Sequence, residues 1–303
     1  MIKRIKHQSK KKILITGGHG FVGRHLFNYL RKKKNYKIYN LRNKFYNLSS
    51  FKIFKRILIK YQPNIIIHLA ARTRPAIKTK KEDKLQYKNT TLPIINLVDS
   101  LKYCTDLRKI IFFGTIEEYG LAKLPFSEKQ KPQPISSYGI AKVKALHYVK
   151  KKIKNNNKIN YIWIRPSLVF GKNDNKKRFL GSLFYSLKFN KKIKLSINSQ
   201  IRDFLYVNDL CRFVQLLIRK KINIEENILN VSAENWININ SIFSYFPKNI
   251  QKKLNKLIIN CPHRSHLNYY SYGRLLKKNF KEFKFTNFKK ALNISFGFDN
   301  SYK

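Results

Sequence analysis

Apolar positions in the first half of the chain come in short dense runs, separated by stretches in which they recur every three or four residues. Lys12-Ile13-Leu14-Ile15-Thr16 reads as a buried strand, and Phe21, Val22, Leu26, Phe27 and Leu30 follow at helical spacing. Tyr36 to Leu41 reads as a second strand, and the pattern Phe51, Phe54, Leu58, Tyr61 predicts a helix that turns at Pro63. Ile65 to Leu69 is a third strand, closed by Ala70-Ala71. A helix from about Tyr87 to Tyr103 precedes a fourth, Lys109 to Phe113, and a long helix from Ser137 to about Lys154 feeds a fifth, Tyr161 to Ile164. Continuous apolar strands alternating with amphipathic helices predict an α/β fold, a doubly wound parallel sheet of Rossmann type covered on both faces. Ligands of such sheets sit beyond the carboxyl ends of the strands.

Beyond Gly171 the regularity breaks. Asn173 to Lys177 is a polar loop before the helix-like Phe179 to Leu187, whereas Arg202 to Val207 and a helix from Asn208 to about Lys220 rejoin the main pattern. The last seventy residues hold short elements without clear alternation. The expected division is a dinucleotide-binding domain over residues 1–171, rejoined by about 202–231, and a smaller, mainly C-terminal, substrate-binding lobe from 172–200 and 232–303.

Composition changes this picture little. The formal charge of +50 resembles that of a nucleic-acid binder, but the lysines are spread over the whole chain and far outnumber the arginines. Lys, Asn, Ile, Phe and Tyr are the residues of A/T-rich codons, so base composition accounts for the bias. Attraction to polyanions and steering of anionic small substrates are expected; a dedicated nucleic-acid function is not. Cys104, Cys211 and Cys261 form no disulfide framework or metal spacing, and His263 and His266 lack a second ligand pair. No apolar run reaches the roughly 18 residues needed to span a bilayer, and the basic N-terminus lacks a signal-peptide core. The expectation is a cytoplasmic protein with no metal and no membrane partner.

The chemistry begins at Gly17-Gly18-His19-Gly20-Phe21-Val22-Gly23, between the first strand and the first helix. It fits both G-x-x-G-x-x-G and G-x-G-x-x-G. Without Cβ atoms the backbone can approach a pyrophosphate, and the helix start offers free N–H groups and a positive dipole end. The alternative is an ordinary βα turn that needs small residues. Tyr138 and Lys142 lie four apart on the long helix, hence on one face. A nearby ammonium favours the phenolate of a group that otherwise titrates near pH ~10. The phenol can then exchange a proton with a substrate oxygen while a cofactor carries the hydride. The fourth strand ends in Gly114-Thr115, which places the Thr115 hydroxyl at the carboxyl edge of the sheet beside them.

Taken in order, Thr16 to Gly23, His68-Leu69-Ala70-Ala71, Asn89, Thr115 with Tyr119-Gly120, Ser137-Tyr138 with Lys142, Ile164-Arg165-Pro166 with Gly171, and Arg202-Asp203-Phe204 with Val207 to Leu210 resemble the extended short-chain dehydrogenases/reductases. Within these, the chain is similar to the NAD-dependent epimerase/dehydratase family, whose members act on nucleotide sugars. The resemblance implies Thr115, Tyr138 and Lys142 as the catalytic set. It implies Gly17, Gly20, Phe21, Val22, Gly23, Asn40, Arg42, Asn47, Leu48, Leu69, Ala70, Ala71 and Pro166 around the cofactor. It implies Asn89, Glu117, Arg202 and Arg264 at the substrate, with the arginines gripping a diphosphate. A homodimer packed through the helices near 87–103 and 137–154 is implied as well.

The departures narrow the function. Family dehydratases carry an aspartate directly after the catalytic threonine; here that position is Ile116, followed by Glu117 and Glu118. Leu168 stands where an asparagine often touches the sugar diphosphate, and the aspartate usual after Arg264 is missing. The expected function is reduction of the 4-keto group of a nucleoside-diphosphate sugar. A 4-epimerase is the main alternative, and a 4,6-dehydratase or a non-catalytic dinucleotide-binding module the weaker ones. NAD-preferring folds place an acid at the end of the second strand, but no Asp or Glu precedes Glu82, and Asn40 and Arg42 occupy that neighbourhood. NADP is therefore expected over NAD.

Overall fold

The structure, a computed structural model, describes residues 10–41, 46–73, 78–153, 158–220, 224–261 and 267–298. Arg42 and the segment Pro262-His263-Arg264 lie outside them, as does His266. Four βα steps and a fifth strand come first: β1 (Lys11–Thr16), α1 (Phe21–Leu30), β2 (Tyr36–Asn40), α2 (Phe51–Tyr61), β3 (Ile65–His68), α3 (Lys80–Gln86), α4 (Leu92–Asp99), β4 (Lys109–Phe113), α5 (Ser137–Ile153) and β5 (Asn160–Pro166). Shorter elements follow: β6 (Leu168–Phe170), α6 (Phe179–Phe189), β7 (Ile193–Leu195), β8 (Ile201–Tyr206), α7 (Val207–Arg219), β9 (Ile228–Val231) and β10 (Trp236–Asn238). The chain continues through α8 (Lys248–Leu257), β11 (Ile258–Asn260), α9 (Arg274–Asn279) and α10 (Phe288–Phe296).

Six parallel strands form the main sheet in the order β2-β1-β3-β4-β5-β9. Alternate residues of each strand go to opposite faces. Ile13, Ile15, Ile67, Ile111 and Ile164 pack with Leu26 and Leu30 of α1 and Leu210, Val214 and Leu217 of α7. Leu14, Ile66, Ile110, Phe112 and Trp163 pack on the other face with Phe54 and Leu58 of α2, Leu97 of α4 and Val149 of α5. Each such side chain contributes about 1.5–3 kcal/mol by leaving water, so both faces are anchored. The order reverses at β1, whose neighbours β2 and β3 are reached in opposite directions. The carboxyl ends of β1 and β3 therefore flank a crevice.

Two elements differ from the expectation. The segment expected to be one helix from about Tyr87 to Tyr103 is a π-turn over Tyr87–Thr91 that follows directly on α3, then α4 with Pro93 in its first turn and a 3-10 turn over Leu101–Tyr103. An extra residue in the π-turn shifts the helical register. Residues 202–207 do not extend the main sheet: β8 sits between β6 and β10 in a separate three-stranded sheet, and β9, a strand the pattern did not reveal, takes the edge beside β5. β7 and β11 make a third, two-stranded sheet. Among the described residues no helix is long and apolar enough to cross a membrane.

Candidate active site

The glycine turn fills the crevice between β1 and β3. Gly17 has φ +70°, and a Cβ there would lie 2.6 Å from the Ala70 nitrogen. A Cβ on Gly23 would lie 2.3 Å from the Gly17 oxygen, and one on Gly18 would strike the Asn40 side chain. Thr16 Oγ1 ties the two strand ends together, 3.0 Å from His68 Nδ1 and accepting from Ala70 N–H. Gly20 caps α1 with no side-chain bond, which leaves the helix N–H groups open to an anion. Asn40 Oδ1 is buried without a partner at the end of β2. A backbone cradle closed to any Cβ, a bare helix start and an unpartnered polar atom where a ribose would sit fit a dinucleotide. Leu69, Phe21 and Val22 are partly buried around it, and Leu48 is buried. Asn47 is exposed, its Oδ1 accepting from Ser49 N–H in a local turn.

The end of β4 and the start of α5 bring the second group together. Thr115 caps a short 3-10 turn, Ile116–Glu118, and its Oγ1 accepts from Glu117 N–H. Tyr138 is half-buried in the first turn of α5, and Lys142, 1 % exposed, lies one turn on with Nζ 5.7 Å from the Tyr138 ring centre. Lys142 Nζ donates to the Phe113 carbonyl at 2.6 Å, so the lysine is held against the end of β4. Burial pushes the Lys142 ammonium down to about 8, opposed by the Glu118 carboxylate. Burial raises the Tyr138 phenol well above its usual range, reinforced by Glu117 and Glu118. The phenol therefore holds its proton at neutral pH, opposite to the phenolate that the neighbouring ammonium was expected to favour, because burial and the two carboxylates outweigh the nearby cations.

The third group faces this pair. Glu117 Oε2 accepts from Ser136 Oγ at 2.9 Å, and burial raises its carboxyl, opposed by Arg178 and Arg202. Arg202, on β8, stacks over Tyr269 and donates to the Leu267 carbonyl and Gln200 Oε1. It borders a cavity of about 460 Å³ with Leu168, Phe179, Lys194, Ser196 and Phe204. Such a cavity offers apolar walls to a flat ring and two cations to phosphates. Arg178 and Lys194 were missed in the sequence. Arg178 lies over the Phe21 ring, pairs with Asp174, and is felt by both Glu117 and Tyr138. Nothing but a lysine-rich loop marks it in one dimension.

Asn89 does not join these residues. It is exposed on the π-turn and its amide donates to the Leu85 carbonyl at 2.8 Å. The shifted register turns Thr90 inward instead, where it is fully buried, accepts from Arg72 N–H and donates to Gln86 Oε1. Pro166 is partly buried at the end of β5, beside Ser167. Behind Arg202, Asp203 is fully buried and accepts from Ser167 and from Ser232 Oγ at 2.6 Å, joining three segments. Burial pushes its carboxyl up to about 6, opposed by the two serines. A raised carboxyl favours the folded state fully at low pH and loses that contribution as pH rises through about 6. Relative to wild type, Asp203→Asn is therefore expected to gain up to about 3 kcal/mol between pH ~4 and pH ~7, two units at 1.36 each. Urea unfolding midpoints of both proteins at the two pH values check this; a constant difference would show that Asp203 is ionised in the folded state throughout.

Residues 13–232 match the model of the NAD dependent epimerase/dehydratase family. The chain belongs to that family. Its members are enzymes, and this chain is one. A GDP-6-deoxy-D-talose 4-dehydrogenase of Aggregatibacter actinomycetemcomitans is 28% identical over 239 residues, spanning 77% of this chain and 78% of that protein. A dTDP-D-glucose 4,6-dehydratase of Dictyostelium discoideum is 29% identical over 245 residues, 69% of this chain and 56% of its own length. Among solved structures, the UDP-glucuronic acid 4-epimerase of Bacillus cereus superposes with TM-score 0.81 at 19% identity, covering 95% of this chain and 98% of the other. That likeness establishes the Rossmann-type α/β fold of the family enzyme.

Proposed function

We propose that this family enzyme reduces the 4-keto group of a nucleoside-diphosphate sugar, with Tyr138 as the proton donor. The observation that carries the reading is the fate of Ile116. Next to Thr115, where a dehydratase needs an acid, the chain has an apolar side chain 5 % exposed and packed with Tyr119 and Phe126. With no carboxyl there, the substrate must arrive already oxidised or leave intact. The protonated phenol of Tyr138 suits a carbonyl about to receive a hydride, and the Thr115 hydroxyl can bond the same oxygen. Lys142 steadies the negative charge that Tyr138 carries once its proton has gone. Arg202 and Lys194 meet the diphosphate, and the cavity beside them takes the base. The dinucleotide, bound on Gly17 to Gly23, supplies the hydride. The 4-dehydrogenase named above works at the same sugar position, which supports the assignment. A 4-epimerase remains the second reading, since Thr115, Tyr138 and Lys142 serve it too.

The cofactor preferred is NADP(H). β2 ends in Asn40 with no carboxylate to repel a 2′-phosphate, and Arg42 follows two residues on. On adding a nucleoside-diphosphate 4-keto-6-deoxysugar, stoichiometric oxidation of NADPH is expected, faster than that of NADH, with the preference lost in Arg42→Ala. Interconversion of intact epimers without net NADPH loss would favour the epimerase, and equal affinities for NADPH and NADH would remove the cofactor preference.

A further inference from the structure

Directly behind the Thr115–Tyr138–Lys142 group lies a buried ion pair that the chemistry above does not use. Glu118, fully buried, has its Oε2 2.7 Å from Arg165 Nε, and Arg165 is 1 % exposed. The other carboxylate oxygen, Oε1, accepts from Thr115 N–H at 2.9 Å and from Trp163 Nε1 at 3.0 Å. A Cβ on Gly114 would lie 2.3 Å from that same oxygen. The carboxylate is thus locked by three donors from two adjacent strand ends, one of them the backbone of Thr115. Arg165 is held in turn by its stacking on the Tyr119 ring, 4.5 Å to the centre.

A buried ion pair is a poor source of stability, because desolvation offsets most of the attraction. Its location gives it another use. Lys142 is buried against the Phe113 carbonyl and the Trp163 ring, where an ammonium is costly. Trp163 links the two charges: Lys142 Nζ lies 5.9 Å from its ring centre, and its Nε1 donates to Glu118 Oε1, while Tyr138 on the same helix and His68 on β3 flank the lysine. His68 is kept neutral by burial, with its pKa pushed down to about 3, so it offers no countercharge. Glu117 and Arg178 face Tyr138, and Glu128 faces Arg165.

We infer that Glu118 is a positioning residue that acts through Lys142: its carboxylate, aimed by Thr115 N–H, Trp163 and Arg165, holds the buried lysine in its ammonium form. The inference rests on the cofactor reading above and adds one contact to it: next to Tyr138, the Lys142 ammonium would also reach the nicotinamide ribose of the bound dinucleotide, so that affinity reports its charge. Consistently, the carboxylate opposes the downward pull of burial on Lys142, which leaves it near pH 8.

The test measures NADPH affinity by fluorescence from pH ~6 to ~9.5. In the wild type, affinity is expected to weaken as Lys142 loses its proton near pH 8. Glu118→Gln keeps the size and the bond to Thr115 but removes the charge, and should move that midpoint down by about one unit, the lower end of the effect of a neighbouring charge. Glu118→Gln/Arg165→Met leaves neither buried charge alone, guards against a misfolded single variant, and should also lower the midpoint. His19 on the glycine turn is common to all three proteins and cancels in the comparison. A midpoint unmoved in both variants, whatever happens to their melting temperatures, would reduce the pair to a structural role and overturn the inference. Absence of NADPH binding in the wild type at every pH would instead bring down the cofactor reading itself.

Discussion

Tyr138→Phe is expected to lower turnover by at least ~10²-fold, the scale of a positioned proton donor, while dinucleotide affinity stays within a few-fold of wild type. The ring fills the same space, so the packing over Lys142, 5.7 Å away, survives. Burial and the neighbouring carboxylates both hold the proton of this hydroxyl in place. Without it the carbonyl oxygen must take its proton from water, which the half-buried cleft supplies poorly. Thr115 cannot substitute, because an aliphatic hydroxyl is ordinarily far less acidic than a phenol. Steady-state kcat and an NADPH binding titration on the same preparation check this. Near-normal kcat would take Tyr138 out of the chemistry, and lost binding would make its role one of assembly.

Gly17→Ala is the second large effect. Left-handed backbone at a non-glycine residue costs on the order of 1–3 kcal/mol. Here the added methyl also meets main-chain atoms of Leu69 and Ala70, 2.6 to 2.8 Å away, which cannot swing aside as a side chain would. The turn must therefore move off the end of β3, carrying the start of α1 and its N–H groups with it. At 1.4 kcal/mol per tenfold, NADPH binding should weaken by roughly tenfold to hundredfold. Gly297→Ala serves as the control. Its φ of +75° imposes similar strain, but nothing lies within 4 Å of the added methyl, so the variant tests strain without any collision. That variant should lose some stability and no NADPH affinity. Equal losses of affinity in both would mean that general destabilisation, rather than the cradle, governs binding.

Much of this site could be read along the chain because its parts are local. Gly17 to Gly23 form a turn whose glycines are needed for contacts within a few residues and with one neighbouring strand. Tyr138 and Lys142 share a helical face by spacing alone, and Thr115 follows from where the apolar run Ile110–Phe113 stops. The doubly wound sheet was legible for the same reason: strands buried on both faces leave unbroken apolar runs, and helices leave a period near four.

The tertiary structure alone decided what depends on pairs distant in sequence. The short strand Ile228–Val231 is too brief to declare itself, and it joins the main sheet because β5 offers an open edge. Asn89 faces outward and Thr90 inward because one extra residue in the π-turn shifts the helical register, which hydrophobic spacing cannot show. Arg178 and Lys194 are two among many basic residues until α6 and β7 bring them to the cleft and the cavity. Glu118 read as a neighbour of Glu117, one more acid on a turn. Folding separates them: Glu117 faces the cleft beside Ser136, while Glu118 turns beneath it to meet Arg165, 47 residues away. Local sequence sets which groups can adopt a turn or share a face; only the packed interior decides which charges lose their water, and so which partners they must find.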